Sequence, residues 1–194
     1  KPNPTILNRY SELNLKQWEL LEKGLITRDE VRVRRYELLF AELKVNHSPQ
    51  MANEIYDSYL GESFFYVDGA EDLLQTLSSE YPLYMVTNGS SHIQKGRIKN
   101  SGIGQYFKDI FVSEAIGHDK PSIEFFNYCF QRIPKIKKDE TFIIGDSLTS
   151  DILGGTNAGI QTVWYNPTNL SNTTDITPTY EIKKLNELYT IIDK

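Results

Sequence analysis

The chain has 194 residues, 39% hydrophobic and 24% charged, with a formal net charge of −5; this is room for one generous domain, or a core with a smaller accessory domain. The acidic balance speaks against a nucleic-acid polymer as partner, because such proteins carry a basic patch. A single cysteine, Cys129, excludes an internal disulfide framework, no apolar run approaches the ~20 residues of a membrane span, and Lys1-Pro2-Asn3-Pro4 does not resemble a signal peptide, so a cytoplasmic protein without membrane attachment is expected.

From about Pro4 to Ser63 the periodicity predicts helices only. Ile6, Leu7, Tyr10, Leu13, Trp18 and Leu21 form a helical stripe that stops at Gly24. Thr27 and Glu30, three residues apart, form a capping box that opens a helix through Val33, Tyr36, Leu39, Phe40 and Leu43. Ser48-Pro49 supplies a cap residue and a first-turn proline for a third helix. The arginines Arg28, Arg32, Arg34 and Arg35 read as a solvated helix face.

Near Phe64 to Val67 the pattern changes, and strands then alternate with helices. A helix led by Asp68-Gly69 precedes a strand over 81–86; Thr87-Asn88-Gly89 ends that strand and begins a helix that stops at Gly102. A strand over 109–113, a helix from Pro121, a strand over 141–144, a helix closing at Gly159, strands over 162–165 and 180–182, and a final helix complete the series. Such βαβα order predicts a parallel sheet covered by helices on both faces, with a helical part over 1–64 and an α/β core over 65–194.

Three strand ends hold the polar residues that carry chemistry, since ligands of open parallel sheets bind outside the C-terminal ends of the strands. Thr87 and Asn88 offer a hydroxyl, an amide and backbone N–H groups at a helix N-terminus, a ready anion site. Lys120 precedes Pro121 and so stands on extended backbone. Asp146 ends the strand Thr141 to Ile144, whose composition is that of a buried strand, and Asp151 lies one helical turn further on. Two such carboxylates suit a hard cation such as Mg²⁺, although Asp146, Ser147 and Thr149 could equally serve as caps for the helix. A hydroxyl, a lysine and metal-binding acids on successive strand ends suit phosphoryl transfer. Cys129, His92, His118, Trp18 and Trp164 have ordinary packing or surface readings, and three scattered histidines make no zinc site.

Val86-Thr87-Asn88-Gly89, Lys120-Pro121 and Gly145-Asp146 to Asp151 together resemble the second, third and fourth motifs of the haloacid dehalogenase superfamily of aspartate-nucleophile phosphohydrolases. Ser113-Glu114, the run Asp151 to Gly159 and the helical stretch Trp18 to Phe40 extend the resemblance toward its pyrimidine 5′-nucleotidase branch. The resemblance implies a Rossmannoid α/β core with an all-helical cap and a Mg²⁺-dependent phosphomonoester hydrolase working through an aspartyl-phosphate. The expected substrate is a small phosphorylated metabolite, a nucleoside monophosphate, and the expected state is a monomer or homodimer. It also implies that Thr87, Asn88 and Gly89 hold the phosphoryl group, that Lys120 bridges phosphate and nucleophile, and that Asp146 binds Mg²⁺ directly, with Asp151 acting through a water or as a second ligand.

The family's first motif, Asp-x-Asp-x-Thr, occurs nowhere in these residues. The resemblance sets it on a central strand upstream of Lys1, so the 194 residues alone are expected to lack the nucleophile and the general acid and to be inactive. Three alternatives remain. A 2-haloacid dehalogenase would attack carbon without a metal; a receiver domain would carry its acids early in the chain, not last; and a phosphate-binding or regulatory protein would do without the nucleophile.

Overall fold

The computed structural model describes residues 3–192. The chain divides into two compact units, Lys1–Glu62 and Ser63–Lys194.

The first unit is built from three helices, α1 (Pro4–Glu22), α2 (Arg28–Leu43) and α3 (Pro49–Glu62). Helix α1 starts with Asn3 as cap and Pro4 in its first turn, and the chain leaves it through Gly24 at φ 67°, a left-handed position that suits glycine. The capping box of α2 is present in both directions. Arg9 grips Glu42 with two hydrogen bonds of 2.7 and 2.8 Å, and Asn14 accepts from Arg35, so α1 and α2 run antiparallel. The expectation for Arg35 is overturned. Only 4% exposed, its guanidinium donates to Asn14 and Asn53 at 2.8 and 2.7 Å and lies within 6 Å of the ring centres of Tyr10, Tyr36 and Tyr56. A guanidinium is weakly hydrated and stacks on aromatic faces, so it fills a polar centre among three helices where a lysine would not. Burial also pushes the hydroxyls of Tyr10 and Tyr36 above the ordinary tyrosine range.

The second unit alternates strands and helices. Its elements are α4 (Ala70–Glu80), β1 (Tyr84–Thr87), α5 (Ser91–Ser101), β2 (Asp109–Val112), α6 (Ser113–Ile116), α7 (Ile123–Arg132), β3 (Phe142–Gly145), α8 (Leu153–Ala158), β4 (Gln161–Tyr165), β5 (Tyr180–Ile182) and α9 (Tyr189–Ile192). All strand pairs are parallel. They form two ladders, β1-β2 and β3-β4-β5, and among the described residues β1 and β3 do not pair with each other.

Register decides which face each strand residue covers. Ile143 stands opposite Thr162 and Ile144 opposite Val163, and side chains aligned across a ladder share a face. Val163 therefore joins Leu73 and Leu77 of α4, Ile182, and Leu188 and Ile191 near the C-terminus on one face. Ile143 joins Phe111 of β2, Phe125, Phe126 and Cys129 of α7, and Ala158 of α8 on the other. Helices thus cover both faces, and the second cluster takes residues from both ladders. Burying each of these large apolar side chains contributes about 1.5–3 kcal/mol relative to exposure. Gly154 and Gly155 let α8 come close: a Cβ on Gly155 would overlap Ile143, and one on Gly154 would lie 2.6 Å from Phe126.

Several local expectations shift. The strand read over 81–86 forms at Tyr84–Thr87, and the helix read from Pro121 starts at Ile123 with Ser122 as its cap. The helix led by Asp68-Gly69 forms as α4, with Gly69 at the cap position and no side-chain bond there. Ile144, read as part of a buried strand, is 41% exposed.

Candidate active site

Thr87 and Asp146 are set by strand ends, whereas Lys120, expected at one, stands in the loop between α6 and α7. Thr87 is the last residue of β1, and its hydroxyl oxygen accepts from the side-chain amide of Gln94, one turn into α5, at 3.0 Å. Because the oxygen is held as an acceptor, the Thr87 proton is directed elsewhere and can be given to an anion. The loop after Thr87 is braced from the start of α6. Gly89 N–H donates to the buried hydroxyl of Ser113 at 3.3 Å, and Ser91 N–H, at the N-terminus of α5, donates to Glu114 Oε2 at 2.8 Å. That helix terminus therefore holds a carboxylate of the protein itself. Ser113 and Glu114 open α6 directly after β2, and that place, just past a strand, is the signal in the sequence for their bracing role.

Lys120 is 6% exposed. Its ammonium donates to Asp151 Oδ1 at 2.6 Å and to the backbone carbonyl of Val86 in β1 at 3.2 Å. The backbone of the same residue is tied to Asn88: Lys120 N–H donates to Asn88 Oδ1 and Asn88 Nδ2 donates to the Lys120 carbonyl, both at 2.8 Å. The Lys120–Pro121 peptide is cis.

The chain beyond β3 departs from an ordinary helix. Ser147 is the cap, its hydroxyl accepting from Ser150 N–H at 3.1 Å, so the capping alternative holds for Ser147. Leu148–Ile152 then makes a wide π-type turn in which Ile152 N–H reaches back to the Ser147 carbonyl at 3.1 Å, and α8 follows. Such turns recur at functional sites because the extra residue redirects a side chain. Here Asp151 folds back over the strand end, where its Oδ2 accepts from Ser147 N–H at 3.2 Å. Gly145 makes the room, since a Cβ there would overlap the Asp151 carboxylate.

Asp146 is placed differently. Its backbone carbonyl accepts from the indole of the buried Trp164 at 3.0 Å, while the residue is exposed and lines a cleft with Asp68, Trp164, Asn166 and Lys183. Tertiary packing thus ties Asn88, Lys120 and Asp151 into one hydrogen-bonded group, with Thr87 next to Asn88 at the end of β1 and Asp146 exposed beyond the end of β3.

The donor set can be tested against a metal. Among the described residues no group of three or more His, Cys, Asp or Glu is assembled to hold one. Mg²⁺ keeps several waters and needs only one or two carboxylates, so the exposed carboxylate of Asp146 fits as a direct ligand. Both oxygens of Asp151 already accept hydrogen bonds, which fits contact through a water. Cys129 is no rival centre: burial pushes its thiol up to about 12, far from a thiolate at neutral pH.

The chain is similar to known proteins along nearly its whole length. The family model of the haloacid dehalogenase-like hydrolases matches residues 1–165. The HAD-hydrolase YfnB of Bacillus subtilis is 45% identical over 185 residues, covering 95% of this chain and 79% of that protein. A crystal structure of YfnB bound to magnesium matches with a TM-score of 0.94 at 43% identity, over 100% of this chain and 85% of that one. The pyrimidine 5′-nucleotidase PynA of Streptococcus pneumoniae is 39% identical over 186 residues, 95% of this chain and 78% of that protein. The pyrimidine 5′-nucleotidase YjjG of Escherichia coli is 30% identical over 185 residues, 95% and 81% respectively.

Proposed function

Because the chain belongs to the haloacid dehalogenase-like hydrolase family, we propose that it is a Mg²⁺-dependent phosphomonoester hydrolase that acts on nucleoside 5′-monophosphates by way of an aspartyl-phosphate. The observation that carries the reading is the Lys120 ammonium, desolvated and fixed between Val86 and Asp151 at the strand ends where Thr87 also stands. The likeness to two proteins named as pyrimidine 5′-nucleotidases supports a pyrimidine nucleotide as substrate.

In this reading the residues divide the work of neutralising a phosphoryl group. Thr87, with its oxygen engaged by Gln94, donates a hydrogen bond from its hydroxyl to a phosphoryl oxygen. Lys120 sets a positive charge beside the same group, in a site whose low exposure makes that charge count for more than it would in water. Asp151 keeps the ammonium aimed. Mg²⁺, held by Asp146, offsets charge on the transferring group when bound.

The test is inorganic phosphate release from uridine and cytidine 5′-monophosphates by the full-length protein with Mg²⁺, with halide release from 2-chloropropionate as the rival readout. Lys120→Ala is expected to lower kcat by roughly 10²–10³, the cost of removing one preorganised group that stabilises transition-state charge. A change confined to KM would show that the lysine only binds substrate, and halide release without phosphate release would overturn the reading.

A further inference from the structure

We infer that Asn88 is a positioning residue that acts through Lys120, and is not itself a phosphoryl ligand; the inference deepens, and rests on, the phosphoryl-transfer reading. A primary amide presents a C=O and an N–H side by side. The residue before a proline is held extended, and an extended residue offers its own N–H and C=O to one side, as in the hydrogen-bonded pair of an antiparallel ladder. Asn88 meets Lys120 in this way, with both bonds at 2.8 Å. The orientation of the amide is fixed by this pairing, because only Oδ1 can accept from Lys120 N–H and only Nδ2 can donate to the carbonyl.

Asn88 is itself held. The next residue, Gly89, is bonded to Ser113, and Ser91 is bonded to Glu114, so the clamp rests on the start of α6, directly after β2. Gly89 also packs beneath Gln94, where a Cβ would lie 2.7 Å from the amide that steadies Thr87. Lys120 is therefore pinned at both ends: its backbone by Asn88, its ammonium by Asp151 and Val86. Such a lysine pays little to be aimed when the reaction needs it. The Asn88 carbonyl oxygen and one amide hydrogen are consumed in the clamp, which leaves a single hydrogen for anything else.

The experiment is a double-mutant cycle in the full-length protein with Mg²⁺, using Asn88→Ala, Lys120→Ala and the pair. Asn88→Ala is expected to lower kcat about 10–100-fold, the scale on which partners that orient a functional group act, with KM within about threefold of wild type. In the Lys120→Ala background, Asn88→Ala is expected to cost nothing further, since a residue that works through another has no effect once that other is gone. Fully additive losses, or a loss confined to KM, would overturn the inference in favour of direct phosphoryl contact. Where Asn88→Ala fails to fold by circular dichroism, Asn88→Asp serves: it keeps the acceptor for Lys120 N–H, loses the donor, and is expected to lose kcat in the same non-additive way. The ¹H–¹⁵N resonance of the Lys120 ammonium, identified by its loss in Lys120→Ala, needs no turnover. It is expected to shift or broaden in the Asn88 variants. If wild type releases no phosphate but the resonance responds, the clamp stands and the phosphatase reading falls; an unchanged resonance overturns the clamp.

Discussion

At the scale of single residues, the site depends on close approaches that only one residue type allows. Gly145 has an ordinary backbone, so its need is for space: the Asp151 carboxylate lies where a methyl group would go. Gly145→Ala must move either that carboxylate or the end of β3, and overpacking of this kind costs about 1–3 kcal/mol. The expected result is a lower urea midpoint at unchanged m-value, together with a weakened Lys120–Asp151 pair. A midpoint equal to wild type would mean that Asp151 has a second comfortable position. Arg35 makes the converse point. Its charge suggested solvent, yet it lies among three tyrosine rings, and its Nε and the Oε1 of Gln17 are buried without a protein partner among the described residues.

At the scale of elements, helix starts follow local chemistry closely. The box at α2 is complete: Glu30 N–H donates to Thr27 Oγ1 at 3.2 Å, and Glu30 Oε2 accepts from Thr27 N–H at 2.7 Å and from its hydroxyl at 2.9 Å. The bond from the Thr27 backbone, followed by that from its side chain, holds the Glu30 carboxyl below its ordinary 4.5. A carboxyl lowered in the folded state stabilises the fold above its unfolded value, and that contribution disappears as pH falls through the lowered one. Glu30→Gln keeps an acceptor but cannot titrate. The difference in melting temperature between wild type and Glu30→Gln is therefore expected to be full near neutral pH and to vanish on acidification below 4.5. A difference independent of pH would remove the charge from the explanation. The turn after β3 is an element that local chemistry does not announce. Ser147 caps it as its residue type suggests, but the extra residue of the π-type turn answers to Asp151 reaching Lys120, a contact 31 positions away in sequence.

For the whole molecule, the two parallel ladders share the aromatic cluster under α7 and are also bridged by Lys120, from Val86 in β1 to Asp151 beyond β3. No helix among the described residues is long and apolar enough to cross a membrane. Metal binding is readable by itself, through its effect on the stability of the fold. The acids are present, so Mg²⁺ at about 100 times its dissociation constant should stabilise the fold by roughly 2.7 kcal/mol, read as a rise in melting temperature that EDTA reverses and Asp146→Ala abolishes.

The sequence by itself determined the helical first part, the alternation that follows, the capping box at Thr27 and the strand ends that carry Thr87 and Asp146. These rest on periodicity, caps and breakers, which act over a few residues and are written locally. The tertiary structure alone decided how those residues are used. Asn88 spends its amide on the Lys120 backbone, Asp151 spends its carboxylate on the Lys120 ammonium, and Asp146 remains exposed. It also decided that Arg35 is buried and Ile144 exposed, against their residue types. The reason is common to all of these: a side chain's partner is set by which strand ends and helix faces the fold brings within about 3 Å, the range of a hydrogen bond, and residues 30 or more positions apart carry no trace of that in local pattern.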